Sequence, residues 1–252
     1  MLSSQAPALH SFVVRHKERI KPILRQKTVL DVLSLLAGGN LAMLARLHGT
    51  DKLAHGYIPH YRLLLSGLRK RRFNLLEIGI GGYAGHTVGG ESLRMWKAYF
   101  SHARIHGLDI LEKPGVAQKR ISVWQGSQVD PEILHRIHKS AGGFDVVIDD
   151  GSHRNEHVIE TFQLLFPLLN SGGIYFVEDV QTSYWPQYGG QAIAHDSSDH
   201  TSMGFFKNLA DRLNHEEFQF PDSGSPFDDE LDSVFFWHNL IAIRKAGRTP
   251  LR

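Results

Sequence analysis

A doubly wound α/β fold with a mostly parallel sheet is predicted by three features of this 252-residue sequence. The runs Phe144-Asp-Val-Val-Ile-Asp149 and Gly173-Ile-Tyr-Phe-Val-Glu178 are short, β-branched and aromatic, as buried parallel strands are. They alternate with helical patterns such as Ser92–Phe100 and Glu156–Leu169, which is the order of βα units. Both strand runs end in carboxylates, Asp149-Asp150 and Glu178-Asp179, as expected where an α/β sheet opens its chemistry at the carboxyl edge.

Composition narrows the class. Hydrophobic residues at 42% and charged residues at 21% describe an ordinary globular chain with enough length for a well-buried core. A formal net charge of +2 is too small to argue for nucleic acid. With no cysteine, disulfides and thiolate chemistry are excluded, which is compatible with a cytoplasmic location. No apolar run is long enough to span a bilayer, and Met1–Pro7 lacks the pattern of a secretory signal.

In chain order, residues 10 to 48 have the spacing of amphipathic helices, broken at Pro22 and Gly38-Gly39. Their basic positions read as a solvated face, and the region as a helical extension lying on the main domain or on another subunit. Gly49–Tyr61 is rich in hydrogen-bonding side chains, which suggests ligand contact, although Thr50 or Asp51 can equally cap a helix. Asn74–Ile78 is a first strand that runs into Gly79-Ile-Gly81-Gly82-Tyr83. Such a glycine turn lets a ligand approach backbone and helix terminus, but alone it is shared by NAD, FAD and S-adenosylmethionine sites. Glu77 inside the strand favours a cofactor with an ammonium group over a pyrophosphate. Asp109 closes the second strand where a ribose diol is held, and Gln125, Ser127 and Gln128 follow the third, placed to read an adenine edge. Asp130-Pro131 is a capped helix start. Gln181–Gly190 is an aromatic loop, with Tyr184 and Trp185 able to stack on a sugar or to serve as core packing. Ser233–Arg244 reads as a terminal antiparallel hairpin. The whole is a Rossmann-like, seven-stranded sheet.

Asp149, Asp150, Glu178, Asp179 and His153 are expected to meet at one rim. Like charges so placed call for a cation, and oxygen ligands without cysteine favour Mg²⁺, Mn²⁺ or Ca²⁺. The plainer reading, that Asp149 and Asp150 only cap the following turn, is weakened by the second acidic strand end.

Taken together, Leu76-Glu-Ile-Gly-Ile-Gly-Gly82, Ser92-Leu-Arg-Met-Trp96, Gly107-Leu-Asp-Ile110, Gln125-Gly-Ser-Gln128, Ile148-Asp-Asp-Gly-Ser-His153, Val177-Glu-Asp179 and Thr182-Ser-Tyr-Trp-Pro186 resemble the metal-dependent sugar O-methyltransferases of the mycinamicin and tylosin deoxysugar type. The resemblance runs from about Gly49 to Lys245 and implies a class I S-adenosylmethionine-dependent methyltransferase, Mg²⁺- or Mn²⁺-dependent, often homo-oligomeric. It implies Asp150, Glu178 and Asp179 as metal ligands, with Asp150 and His153 as the catalytic pair and His153 as general base. Glu77, Gly79, Gly81, Asp109, Ser127, Gln128 and Asp149 would line the cofactor, with Thr50, Lys52 and Tyr57 closing over it. Tyr83, Tyr184 and Trp185 would face a glycoside, oligosaccharide or glycolipid. On this reading residues 1–72 are a helical extension with a cofactor-covering loop, and 73–252 the catalytic domain. A catechol or phenolic methyltransferase remains the alternative, with an NAD-binding oxidoreductase or a non-catalytic binding module further off.

Overall fold

The computed structural model describes residues 27–82, 88–192, 200–220 and 223–247. Most of the N-terminal basic segment, Tyr83 and Pro221-Asp222 therefore lie outside the described residues. Helices α1 (Lys27–Leu36) and α2 (Leu41–His48) are separated by Gly38 and Gly39, both at positive φ, so the expected break is where the glycines stand. Asn40 caps α2 through its side-chain oxygen, and Gly49 ends it in the left-handed conformation. Helix α3 (Ile58–Leu65) leads to β1 (Asn74–Ile78), then α4 (Glu91–Tyr99), β2 (Arg104–Asp109) and β3 (Ile121–Gln125). Helix α5 (Pro131–Ala141) starts as its sequence predicts, with the Asp130 carboxylate accepting the amides of Glu132 and Ile133. Next come β4 (Phe144–Asp149), α6 (Asn155–Leu165), β5 (Leu169–Glu178), α7 (Ser202–Arg212), β6 (Leu231–Trp237) and β7 (Leu240–Lys245). No helix among the described residues is long and apolar enough to cross a membrane.

The seven strands lie in the order β3-β2-β1-β4-β5-β7-β6. The first five are parallel; β7 runs antiparallel to β5, and β6 to β7, with Asn239 at positive φ in the tight turn between them. Strand order reverses between β1 and β4, and a ligand crevice is expected outside their carboxyl ends. Strand β5 begins earlier than the glycine pattern suggests: Leu169 pairs with Phe144, and a bulge at Asp145 takes up the irregular Asn170–Gly173 stretch.

The two-residue period of the strands sorts side chains onto two cores. Leu75, Val146, Ile148, Ile174 and Phe176 face α2, α3 and α4, where Leu44, Tyr61 and Trp96 are buried against them. Leu76, Val147, Tyr175 and Val177 face α5, α6 and α7, against Ile137, Phe162 and Phe206. Phe162 is fully buried at the centre of that layer, with its ring about 5 Å from those of Phe166, Tyr175 and Phe206. Replacing Phe162 by Ala should lower unfolding free energy by about 3–5 kcal/mol. Urea denaturation of the variant checks this, and a loss under about 1 kcal/mol would show that the α6 layer does not hold the sheet.

Candidate active site

The same alternation that builds the cores decides where the acids go. Glu77 precedes Ile78 on β1, and Glu178 follows Val177 on β5, so both point toward the N-terminal helices. Asp149 points to the opposite face, and Asp150 and Asp179 lie just beyond the strand ends. The five groups expected at one rim are thus divided into an outer set and an inner one.

At the rim, Asp150, His153 and Asp179 each offer a ligand atom within 4.8 Å of the others. Their side chains are about one-fifth exposed, and His153 Nε2 lies 3.8 Å from Asp179 Oδ2. His153 and Asp179 both sit at positive φ, 57° and 55°, a conformation uncommon for non-glycine residues. Strain of this kind persists where surrounding structure imposes it, and it gathers at functional sites. The two carboxylates offer oxygen donors suited to a hard divalent ion, with an imidazole beside them and no thiolate. Burial pushes the Asp150 carboxyl upward, against the opposing pull of Lys52 and His153.

Behind the rim lies Lys52, fully buried, with its ammonium 2.9 Å from Asp150 Oδ2, 2.6 Å from Glu178 Oε1 and 3.2 Å from Glu77 Oε1. Tyr61 also donates to Glu178 Oε1, and Trp96 Nε1 donates to Glu77 Oε2 at 2.8 Å. Glu178 Oε2 accepts no hydrogen bond from the described residues. Burial works to lower the Lys52 pKa, but Asp150, Glu178 and Glu77 together raise it well above its usual value. Burial raises both glutamates, with Asp150 adding to the effect and Lys52 opposing it.

Other residues expected at the site are engaged within the protein. Glu77 is fully buried and engaged by Lys52 and Trp96. Lys52 is held inward by three carboxylates, those of Glu77 and Glu178 buried and that of Asp150 partly so. Thr50 caps the short turn Asp51–Leu53, its hydroxyl accepting from the Lys52 amide. Tyr57 is buried, and its hydroxyl donates to Asp179 Oδ1 at 2.6 Å. Gln128 is turned inward: its amide donates to Asp149 and Thr161 and its oxygen accepts from the Ser152 amide, leaving no free edge for adenine. Asp149 is 2% exposed and bonded to Gln128 and Tyr175, and burial lifts it to about 7. It braces the turn from within. Tyr61 and Trp96 were not singled out as site residues, since their spacing is that of ordinary core aromatics.

The cofactor side keeps other parts of the expectation. Gly79 (φ 78°) leaves β1 so tightly that a Cβ would lie 1.9 Å from the Asp150 carbonyl oxygen, so glycine alone permits the β1 and β4 exits to touch. Gly81, also at positive φ, faces open space. Asp109 is half-buried, and its two carboxylate oxygens accept the amides of Ile80 and Leu111, which fixes it at the mouth of the turn with acceptor capacity remaining. Ser127 Oγ accepts from the Val129 amide. Tyr184 and Trp185 are about two-fifths exposed on the loop beyond Asp179.

Comparison with known proteins adds to this geometry. The Rhamnosyl O-methyltransferase/CmcI family profile matches residues 90–201. The mycinamicin VI 2''-O-methyltransferase of Micromonospora griseorubida is 43% identical over 193 residues, 76% of this chain and 48% of that protein. The matched region belongs to that sugar O-methyltransferase family. A tetracenomycin rhamnosyl 2'-O-methyltransferase of Streptomyces olivaceus is 42% identical over 83% of this chain and 55% of its own length. The MycE methyltransferase of the mycinamycin pathway, solved with Mg, SAH and mycinamycin VI, superposes with a TM-score of 0.78 at 40% identity, over 83% of this chain and 54% of its own. The chain thus spans about half the length of the curated relatives it matches. Its fold is that of the S-adenosylmethionine-dependent methyltransferases.

In this member of the family, Lys52→Met should leave two buried acids without a counter-charge and cost about 3–5 kcal/mol at neutral pH. Glutamates whose folded pKa is raised bind protons more readily when folded, so the deficit should shrink as pH falls toward 4.5 and grow above it. Urea melts of both proteins across that range check the sign; a pH-independent deficit would contradict it.

Proposed function

We propose that this chain is an S-adenosylmethionine-dependent O-methyltransferase acting on a sugar hydroxyl of a glycoside, oligosaccharide or glycolipid. The observation that carries the reading is the Asp150–His153–Asp179 group at the topological switch point, in a chain over 40% identical to sugar O-methyltransferases.

Asp150, Asp179 and the free Oε2 of Glu178 would hold a Mg²⁺ or Mn²⁺, which when bound lowers the pKa of neighbouring acceptor hydroxyls. The Gly79–Gly81 turn and Asp109 would hold S-adenosylmethionine, which would supply the methyl group. The remaining work belongs to side chains of this chain. His153 Nε2 receives the proton of the attacking hydroxyl, and Asp179 beside it stabilises the imidazolium that results. Tyr57 fixes the Asp179 carboxylate, so ligand and base keep one relative placement. Lys52 and Tyr61 hold Glu178 from behind and leave its outer oxygen unengaged. Tyr184 and Trp185 present ring faces and edges to the acceptor sugar. The family's oligomeric habit, proposed here also, would place the helices α1 to α3 near a neighbouring subunit.

His153→Ala should reduce turnover by roughly 10² to 10⁴ while leaving S-adenosylhomocysteine affinity within a few-fold, as read by calorimetry. Mass spectrometry of a glycoside panel incubated with labelled cofactor and Mg²⁺ tests the reading as a whole. A one-methyl gain that EDTA abolishes and Mg²⁺ restores is expected; methylation of catechols but of no glycoside would overturn it.

A further inference from the structure

Immediately after His153, an open cleft of about 550 Å³ runs along the outer face of α6 beneath the 186–190 loop. Its volume falls within the range of small-molecule sites, roughly 300–1,000 Å³. Arg154, Glu156, Glu160, Gln163, Tyr188 and His200 line it, and Ile159 is its one aliphatic side chain. Glu156, Glu160 and Gln163 stand at helical spacing on one stripe, so the cleft extends roughly 10 Å away from His153.

Two features distinguish it from a surface furrow. The first is its unengaged polarity. Arg154 and Glu156 pair with each other, but Glu160, Gln163 and His200 make no hydrogen bond or ion pair with the described residues. These three offer both donors and acceptors beside the half-buried Tyr188 ring. The second is that its roof is fastened. Asn155, 1% exposed, donates from Nδ2 to the carbonyls of Thr182 (3.1 Å) and Tyr188 (3.0 Å). Its Oδ1 accepts from the Ser202 amide, the Ser202 hydroxyl and the Ser183 hydroxyl. The first residue of α6 therefore sets the height of Tyr188 above the same helix that forms the floor. A cleft shaped before its ligand arrives loses less on binding.

We infer that this cleft is an acceptor subsite for a second, hydroxyl-rich sugar unit, attached to the one whose hydroxyl faces His153. Sugar hydroxyls match the Glu160, Gln163 and His200 groups, and a pyranose face matches the Tyr188 ring. An apolar aglycone laid there would remove those groups from water with nothing to bond them. The inference rests on the acceptor reading given above and narrows it to glycans extended beyond one residue.

Saturation-transfer NMR tests it on the full chain with S-adenosylhomocysteine and Mg²⁺. The ligands are a methyl pyranoside, its disaccharide glycoside and its phenyl glycoside. Protons of the second sugar should show enhancement, and Glu160→Ala with Gln163→Ala, or Tyr188→Leu alone, should remove at least half of it. In turnover, kcat/KM for the disaccharide should exceed that of both other glycosides by about tenfold, and the variants should cut that ratio at least fivefold. Methylation without a disaccharide preference, or a preference untouched by the variants, overturns the subsite and spares the proposed function. Enhancement of the second sugar without methylation of any glycoside keeps the subsite and overturns the function. A preference for the phenyl glycoside would assign the cleft to apolar aglycones and end the inference.

Discussion

One buried ammonium determines how this site is put together. Lys52 lies within 3.2 Å of carboxylates from β1, the β4 exit and β5, and without it Glu77 and Glu178 would be two desolvated acids a few ångströms apart. Each of those acids has further partners from the N-terminal half, Trp96 and Ser92 for Glu77 and Tyr61 for Glu178. Helices α3 and α4 are consequently tied to the sheet at the point where its strand order reverses, by charge as well as by apolar contact. The Gly49–Tyr61 loop is thereby a structural part of the centre.

This inner layer explains the outer one. With Lys52 engaging one oxygen of Asp150 and one of Glu178, Asp150 still stands at the rim beside Asp179 and His153. Tyr57 holds Asp179 from below, and Gln128 with Asp149 holds the turn that carries Gly151 and Ser152. The left-handed backbone at His153 and Asp179 is kept in place by these bonds. What reaches solvent is a compact set of two acids and an imidazole.

The fold was legible because its signals are local and repeated. The Asp130-Pro131 start of α5, the glycine break after α1 and the apolar run of β4 each follow from a few adjacent residues. The rim residues were legible for the same reason, lying next to strand ends whose direction is known. The inner layer was not. Alternation alone says that Glu77 and Glu178 share a face, but not that a lysine from the loop before β1 closes between them, since its contacts with Asp150 and Glu178 span sequence distances of 98 and 126 residues. Polar side chains in the Gly49–Tyr61 loop suggest ligand contact, and the sequence does not show that several of them bond within the protein. Gln128 is alike: an amide after β3 suits an adenine edge, and only the packing of α6 against β4 shows it facing Asp149.

The central claim is that the acids left outward by Lys52 bind a hard divalent ion beside His153. Crystals of the protein soaked with Mn²⁺ and S-adenosylhomocysteine, measured at the manganese absorption edge, test this most directly. A single strong anomalous peak within coordination distance of the Asp150 and Asp179 carboxylates is predicted, lost in a Asp150→Ala, Asp179→Ala double variant that still binds S-adenosylhomocysteine. Manganese seated elsewhere, or unaffected by removing both aspartates, would contradict the account.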